Sequence, residues 1–358
     1  MNKNVLSVVA GSVLLGLLSK HQTNNKGSKA FMTPISYGEK LDLDDLTIRY
    51  PDKKTVDRLQ SWPKHKLGYF TISPNYNPCK NQEERNALIG EILTMIRENV
   101  VNVKGLSIRD SFGFEDFQYL RMFPELEMLD LGECSYLLFP DFWNNSTELE
   151  MKDLPQDLLD LKNLKRLGLS DCNLDSFPMG LLQMEQLEGL SLFNNDIKII
   201  PNEISALKNL KHLNLGYCNL TNFPNGILSL SELAYLRLDY NNLKQIPNDI
   251  CLLRNLELLR LRSTHINKLP ESIGMLTNLK YLNIDIQRFD PYPNNITQLP
   301  SSFGNLTALE KLDIDIRNIH TSRQQIADWL QKGFPVAILN EFISFAKLNK
   351  PSSQLRRF

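Results

Sequence analysis

One phrase recurs along this chain at a spacing of 23 residues, opened in turn by Leu164, Leu187, Leu210, Leu233, Leu256 and Leu279. Inside each phrase further apolar residues follow at fixed offsets, as at Leu167 and Leu169, Leu213 and Leu215, or Leu259 and Leu261. A proline then closes the phrase at a constant distance: Pro178, Pro201, Pro224, Pro247 and Pro270. A period of this length means a stack of supersecondary units, none of which can bury its own apolar face alone. The LxL alternation gives each unit a short strand with one dry and one wet side. A second apolar set with helical spacing, such as Ile227 with Leu230 or Ile250 with Leu253, covers the dry side with a helical turn. The proline suits the start of that turn, where a missing N–H does no harm. Successive strands must lie parallel, about 4.8 Å apart. The helical side is wider, so the stack curves with its sheet on the inside.

The phrase LxxLxLxxN/CxLxxFP resembles the leucine-rich-repeat family in its 23-residue form, whose second half reads as "IPNEISALKNL" at 200–210 and "LPESIGMLTNL" at 269–279. The resemblance covers roughly residues 103–331, with weaker repeats at both ends and two irregular ones. Fifteen extra residues separate Leu126 from Leu164, and seven extra separate Leu279 from Leu309. It implies an α/β fold: a curved leucine-rich-repeat solenoid with a parallel concave sheet, a helical or turn-like convex side, and helical caps. It also implies a non-enzymatic module that presents its concave face to a protein partner.

The organisation expected is an apolar N-terminal segment over 1–30, a cap region over 31–102, and about eight to nine repeats over 103–331. Insertions fall near 140–155 and 286–296, and a C-terminal helical cap and tail occupy 332–358. A helix over 81–99, with Ala87, Leu88, Ile92, Leu93 and Ile96 on one stripe, is expected to plug the first strand of the sheet. Over 323–348 two helical pieces broken at Gly333 and Pro335 should cover the last repeat with Trp329, Leu330, Ile338, Leu339, Phe342 and Ile343. Solenoids need such caps.

At the place where each repeat leaves its strand stand Cys134, Cys172, Asn195, Cys218, Asn241 and Thr264. Buried backbone groups there need partners, and an Asn amide stacked repeat on repeat supplies both donors and an acceptor. Cys is small, tolerates burial and has a weak S–H donor, so these cysteines are read as structural. The five cysteines include no CxxC and no regular spacing, which gives neither a disulfide framework nor a redox motif.

Function classes narrow by elimination. A net charge of −1 over 358 residues gives no bulk attraction to nucleic acid or membrane surfaces. The five histidines form neither HExxH nor a zinc-ligand spacing, and no phosphate-binding or nucleophile-elbow motif occurs, so no cofactor, metal or catalytic residue is assigned. Asp285 and Asp315 fall at the same wet-face position of adjacent repeats, where paired carboxylates could hold a cation, act as acid and base, or belong to a solvated binding surface. Bacterial leucine-rich-repeat ubiquitin ligases carry a large catalytic domain with a nucleophilic Cys, whereas only 27 residues follow Gln331 here and none is Cys. The alternatives kept are an extracellular or surface-anchored recognition protein, and an effector acting with a separate catalytic subunit. The run of mostly apolar residues at 5–18 matches a signal-peptide core in length and is short for a spanning helix. A secretion signal, a short anchor and an apolar helix docked on another protein all fit it, so the location stays open, with a membrane-associated or exported chain favoured over a freely cytoplasmic one. The chain is read as a monomer.

The wet face carries the candidate binding residues: Phe193, His212, Tyr217, Tyr235, Arg237, Tyr240, Arg260, Arg262, Tyr281 and Asp285. Aromatics and arginines anchor protein interfaces because they bury much area and keep polar tips. Strand stacking sets Tyr217 beside Tyr240 and Arg237 beside Arg260, and it makes Asp239, Arg262 and Asp285 one column of alternating sign that draws Arg262 into internal pairing.

Overall fold

The computed structural model describes residues 45–49, 69–73, 82–99, 102–108, 117–132, 154–172, 174–285, 294–315 and 319–348. They divide into two compact units, one running to residue 174 and including 178–195, the other formed by 175–177 with the chain from 196 onward. The apolar run at 5–18, Cys79, Cys134 and the insertion around Trp143 lie outside the described residues.

In the first unit six strands lie parallel in chain order: β1 (Asp45–Arg49), β2 (Tyr69–Ser73), β3 (Gly105–Ile108), β4 (Met128–Asp130), β5 (Arg166–Gly168) and β6 (Gly189–Ser191). The helix expected over 81–99 is α1 (Gln82–Asn99), with Ile89, Ile92 and Leu93 fully buried. It does not plug the first strand of the sheet, which corrects the sequence reading. β2 already pairs with β3, so α1 is the covering element between two strands, and it packs on the 3-10 turn Phe117–Met122. A single α-helical turn, α2 (Gln156–Leu159), precedes β5.

The second unit has five parallel strands: β7 (His212–Asn214), β8 (Tyr235–Arg237), β9 (Leu258–Arg260), β10 (Tyr281–Asn283) and β11 (Lys311–Asp313). The register aligns Leu213, Leu236, Leu259, Leu282 and Leu312, all buried, so one leucine column runs through the unit. Covering the dry side are five-residue 3-10 turns at Asn202–Ala206, Asn225–Ser229, Asn248–Leu252, Glu271–Met275 and Ser301–Asn305. Each follows a proline in extended conformation, which delivers the chain to the turn without needing its N–H. Adjacent turns approach closely. A Cβ at Gly274 would stand 2.2 Å from the Ser302 carbonyl oxygen, and one at Gly226 would stand 2.6 Å from that of Asn202.

Glu271 links two of these turns through hydrogen bonds. Its carboxylate accepts the N–H of Ser301 at 3.1 Å and of Ser302 at 3.0 Å, so it supplies acceptors that the next turn lacks at its start. Partial burial pushes the Glu271 carboxyl up, but the hydrogen bonds from Ser302 and Ser301 outweigh it and hold the pKa below the usual 4.5. A depressed carboxylate contributes stability above the unfolded pKa, and that contribution fades as pH falls through the lower folded value. The melting temperature of Glu271→Gln should therefore lie slightly below wild type at neutral pH and converge with it in acid as pH falls through that lowered folded value. Because the side chain is exposed, the neutral-pH difference should be small. A difference that persisted or grew in acid would mean that the charge is not what Glu271 contributes.

The chain closes on α3 (Arg323–Gln331) and α4 (Val336–Leu348). Ser322 caps α3 by accepting the Gln325 N–H at 3.0 Å, and Gly333 turns the chain at φ +81°. Trp329 is fully buried among Phe303, Phe334 and Phe342, with ring centroids 5.6, 5.5 and 6.1 Å away. Leu330, expected to cover the last repeat, is instead 46% exposed, because one step along a helix turns a side chain about 100° away from Trp329.

Candidate functional site

Two ladders fix where the wet-face side chains stand. The inner one is made by the asparagines. Asn241 donates from Nδ2 to the carbonyls of Leu215 and Leu238 at 2.7 and 2.9 Å, and its Oδ1 accepts from the N–H of Cys218 and Leu220 at 3.1 and 2.9 Å. Asn195 does the same in the first unit, toward Leu169, Leu192, Cys172 and Leu174. Cys172 and Cys218 fill the same position with fully buried thiols, their Sγ donating to backbone carbonyls at 3.4 and 3.6 Å. Thr264 joins through its hydroxyl, which donates to the Leu261 carbonyl at 2.9 Å. The cysteines serve the turn, as their position in the phrase suggested.

Asn294 is the member of this ladder that the sequence reading missed. Its Oδ1 accepts the Thr264 N–H at 3.0 Å, and its Nδ2 donates to Leu261 and Ile284 at 2.7 and 3.2 Å. The seven extra residues displaced it from the position that the period assigns.

The second ladder is conformational. Asp171, Asn194, Tyr217, Tyr240 and Ser263, spaced 23 apart, all have left-handed backbone, with φ of 56°, 55°, 54°, 56° and 53°. Each precedes a member of the asparagine ladder, so the inward turn of that residue sets the φ of its neighbour. Asn tolerates this conformation; tyrosine, with a Cβ and no local hydrogen-bonding group, pays roughly 1 kcal/mol. Two consecutive repeats nevertheless place tyrosine there.

Ten half-buried residues were singled out, and nine of them stand in the second unit. Tyr217 and Tyr240 stack, with centroids 4.1 Å apart and planes at 22°. His212 and Tyr235 make a second stack at the start of β7 and β8, 4.5 Å apart and at 12°. Arg237 and Arg260 are register partners. Tyr281 donates its hydroxyl to Asp313, and Asn283 donates to the same carboxylate at 3.1 Å. Burial, together with that bond to Asp313, raises the Tyr281 phenol above the usual 10.0. Lys311 lies 4.7 Å from the centroid of the Tyr281 ring. The wet-face alignment of Asp285 with Asp315 follows from the pairing of Asn283 with Asp313 two residues earlier. Phe193 stands in the first unit, in the loop after β6.

At the centre of this face Asp239 has partners beyond its sequence column. Asp239 is only 1% exposed, and Arg260 and Arg237 reach its carboxylate through Nε at 2.9 and 3.4 Å. Arg262, expected as its in-register ion partner, gives Asp239 its backbone N–H at 3.2 Å and sets its guanidinium 5.3 Å from the Tyr240 ring centroid. The register partners on β8 and β9 close over the acid from both strands, which strict alternation of wet residues cannot show.

The wet face of the first unit reads differently, with Gly168, Gly189, Ser170 and Ser191 in place of large side chains. A Cβ at Gly168 would stand 2.4 Å from the Asp130 carboxylate, so the glycine makes room for an acid whose Oδ1 accepts the Gly132 N–H at 3.1 Å.

Among the described residues no group of three or more His, Cys, Asp or Glu could hold a metal ion, and no helix is long and apolar enough to cross a membrane. Against known families, a model described as a leucine-rich repeat region matches residues 222–332, and one described as a leucine rich repeat matches residues 162–220. The chain is a leucine-rich-repeat protein. Repeats of this family typically serve as protein-interaction modules, and the fold is that of a leucine-rich-repeat solenoid.

No curated protein matches this leucine-rich-repeat protein. Among solved structures it is similar to a leucine-rich-repeat protein of Leptospira interrogans at 24% identity and a TM-score of 0.50, with 75% of this chain and 65% of that one covered. An internalin of Listeria monocytogenes matches at 15% identity and 0.50, covering 82% and 85%. The TLR13 chain of a complex with ssRNA13 matches at 21% and 0.53, covering 77% of this chain and 36% of that one. The chain thus spans just under two thirds of the Leptospira protein and about a third of TLR13. At these identities the likeness concerns the fold.

Proposed function

We propose that this leucine-rich-repeat protein is a non-enzymatic binding module that holds a protein partner on the concave sheet face of its second unit. The observation that carries the reading is the Tyr217–Tyr240 stack on left-handed backbone. Asparagine fits that conformation better, and the preceding repeat uses it at Asn194. A tyrosine there costs folding free energy, and its return is a flat ring pair of the kind that anchors interfaces. His212 with Tyr235, Arg237 with Arg260, Arg262, Tyr281 and Asp285 stand on the same face of that unit.

The test is affinity capture from the native cell extract with wild type and a Tyr217→Asn, Tyr240→Asn double variant. Because asparagine suits φ near +55°, the variant should melt within a few degrees of wild type or above it. Loss of a captured protein by this folded variant supports the reading. Retention of every captured protein would move binding off this face and leave the stack a packing feature.

A further inference from the structure

The wet face of the second unit is divided by charge along the strand order. On β8, β9 and the residues just beyond them the charged wet-face groups are Arg237, Arg260 and Arg262 with Asp239, and the acid is the buried member. Arg237 and Arg260 reach it with side-chain exposures of 12% and 20%, against 1% for Asp239, so the basic side chains are the more accessible members of the cluster. On β10, β11 and the residues just beyond them stand Asp285, Asp313 and Asp315 with Lys311. The formal charge is positive on the first pair of strands and negative on the second, however the groups pair among themselves.

We infer that the partner on this face presents an extended segment laid across the strands, with an acidic side chain over Arg237 and Arg260 and a basic one over Asp285 and Asp315. This rests on the concave-face reading above and adds the chemistry of the occupant. Opposite charge at both places is what electrostatic complementarity selects, and a like charge at either is penalised. The spacing follows from geometry. The two charge centres lie about two strand spacings apart across the sheet and two residues apart along it, roughly 12 Å in all, and an extended peptide covers that distance in about three to four residues. An acidic and a basic residue about three to four positions apart, with an apolar or ring side chain beside the acid to meet the Tyr217–Tyr240 stack, is the expected recognition pattern.

A displayed library of random twelve-residue peptides, selected against the full chain at low ionic strength and read by sequencing, tests this directly. Enriched peptides should carry the opposite-sign pair at that spacing. Arg237→Gln should weaken the acidic preference at least several-fold and leave the basic one, and an Asp285→Asn, Asp315→Asn double variant should do the reverse. Arg237 packs on a buried acid, so Arg262→Gln serves as a second variant that leaves the Arg237 and Arg260 contacts to Asp239 in place. Enrichment without an opposite-sign pair, enrichment unchanged in all the variants, or no enrichment at all would overturn the inference. In each case a partner protein lost by the tyrosine variant would keep the concave-face reading standing, so the two can fail separately.

Discussion

Leu213→Asp is expected to unfold the second unit. Leu213 is 2% exposed and sits in the column with Leu236, Leu259 and Leu282. Removing a buried leucine side chain alone costs about 2–5 kcal/mol. An aspartate adds the cost of an unpaired carboxylate without water, or of protonating it. The total approaches the 5–15 kcal/mol that holds a typical domain folded. Because each repeat gains stability chiefly from its neighbours, the loss should spread along the stack. Circular dichroism should show a large loss of signal at 25 °C or a melting temperature at least about 10 °C lower. The Tyr217 substitution four residues on should leave both nearly unchanged. Equal damage from the two would mean that Tyr217 is core and that the wet and dry sides are misassigned.

Asn241→Ala is expected to destabilise by about 3–5 kcal/mol, more than most polar-to-alanine changes. The side chain satisfies two backbone N–H groups and two carbonyls, and it is 1% exposed. Each buried group left without a partner costs about 1–3 kcal/mol, reduced where a water enters the space vacated. Asn242, next in the chain, is a useful control, because its side chain meets His265 at 2.6 Å at a half-buried site and its loss should cost under about 1 kcal/mol. Urea unfolding of the two variants measures the difference. Should Asn241→Ala lose no more than Asn242→Ala, the ladder would be a consequence of the turn and not its support.

The leucine column, the prolines and the Tyr217–Tyr240 pair were legible because each depends only on a period and on strand pairing. Besides the displaced Asn294, three features were not. β1 and β2 carry the same alternation, at Leu46 with Ile48 and Phe70 with Ile72, but their spacing of 24 and then 36 residues breaks the period. The region read as a cap therefore holds two strands of the sheet. The burial of Asp239 was hidden because alternation assigns a side, while depth depends on how far Arg237 and Arg260 fold over it. The left-handed backbone at Tyr217 and Tyr240 was hidden because tyrosine is not a residue type that signals it. Asn194 in the same position was the available clue.

The place where Asn294 rejoins the ladder has a consequence for how such a surface can change. The seven added residues separate the end of β10 from the asparagine, and the hydrogen bonds of Asn294 are those of Asn241 one repeat pair earlier. Length can thus be spliced in at this junction without disturbing the frame on either side. A graft there would start beside the sheet face and end at an anchored amide, which makes the junction a natural place for lineages, or protein engineers, to give one scaffold a new specificity.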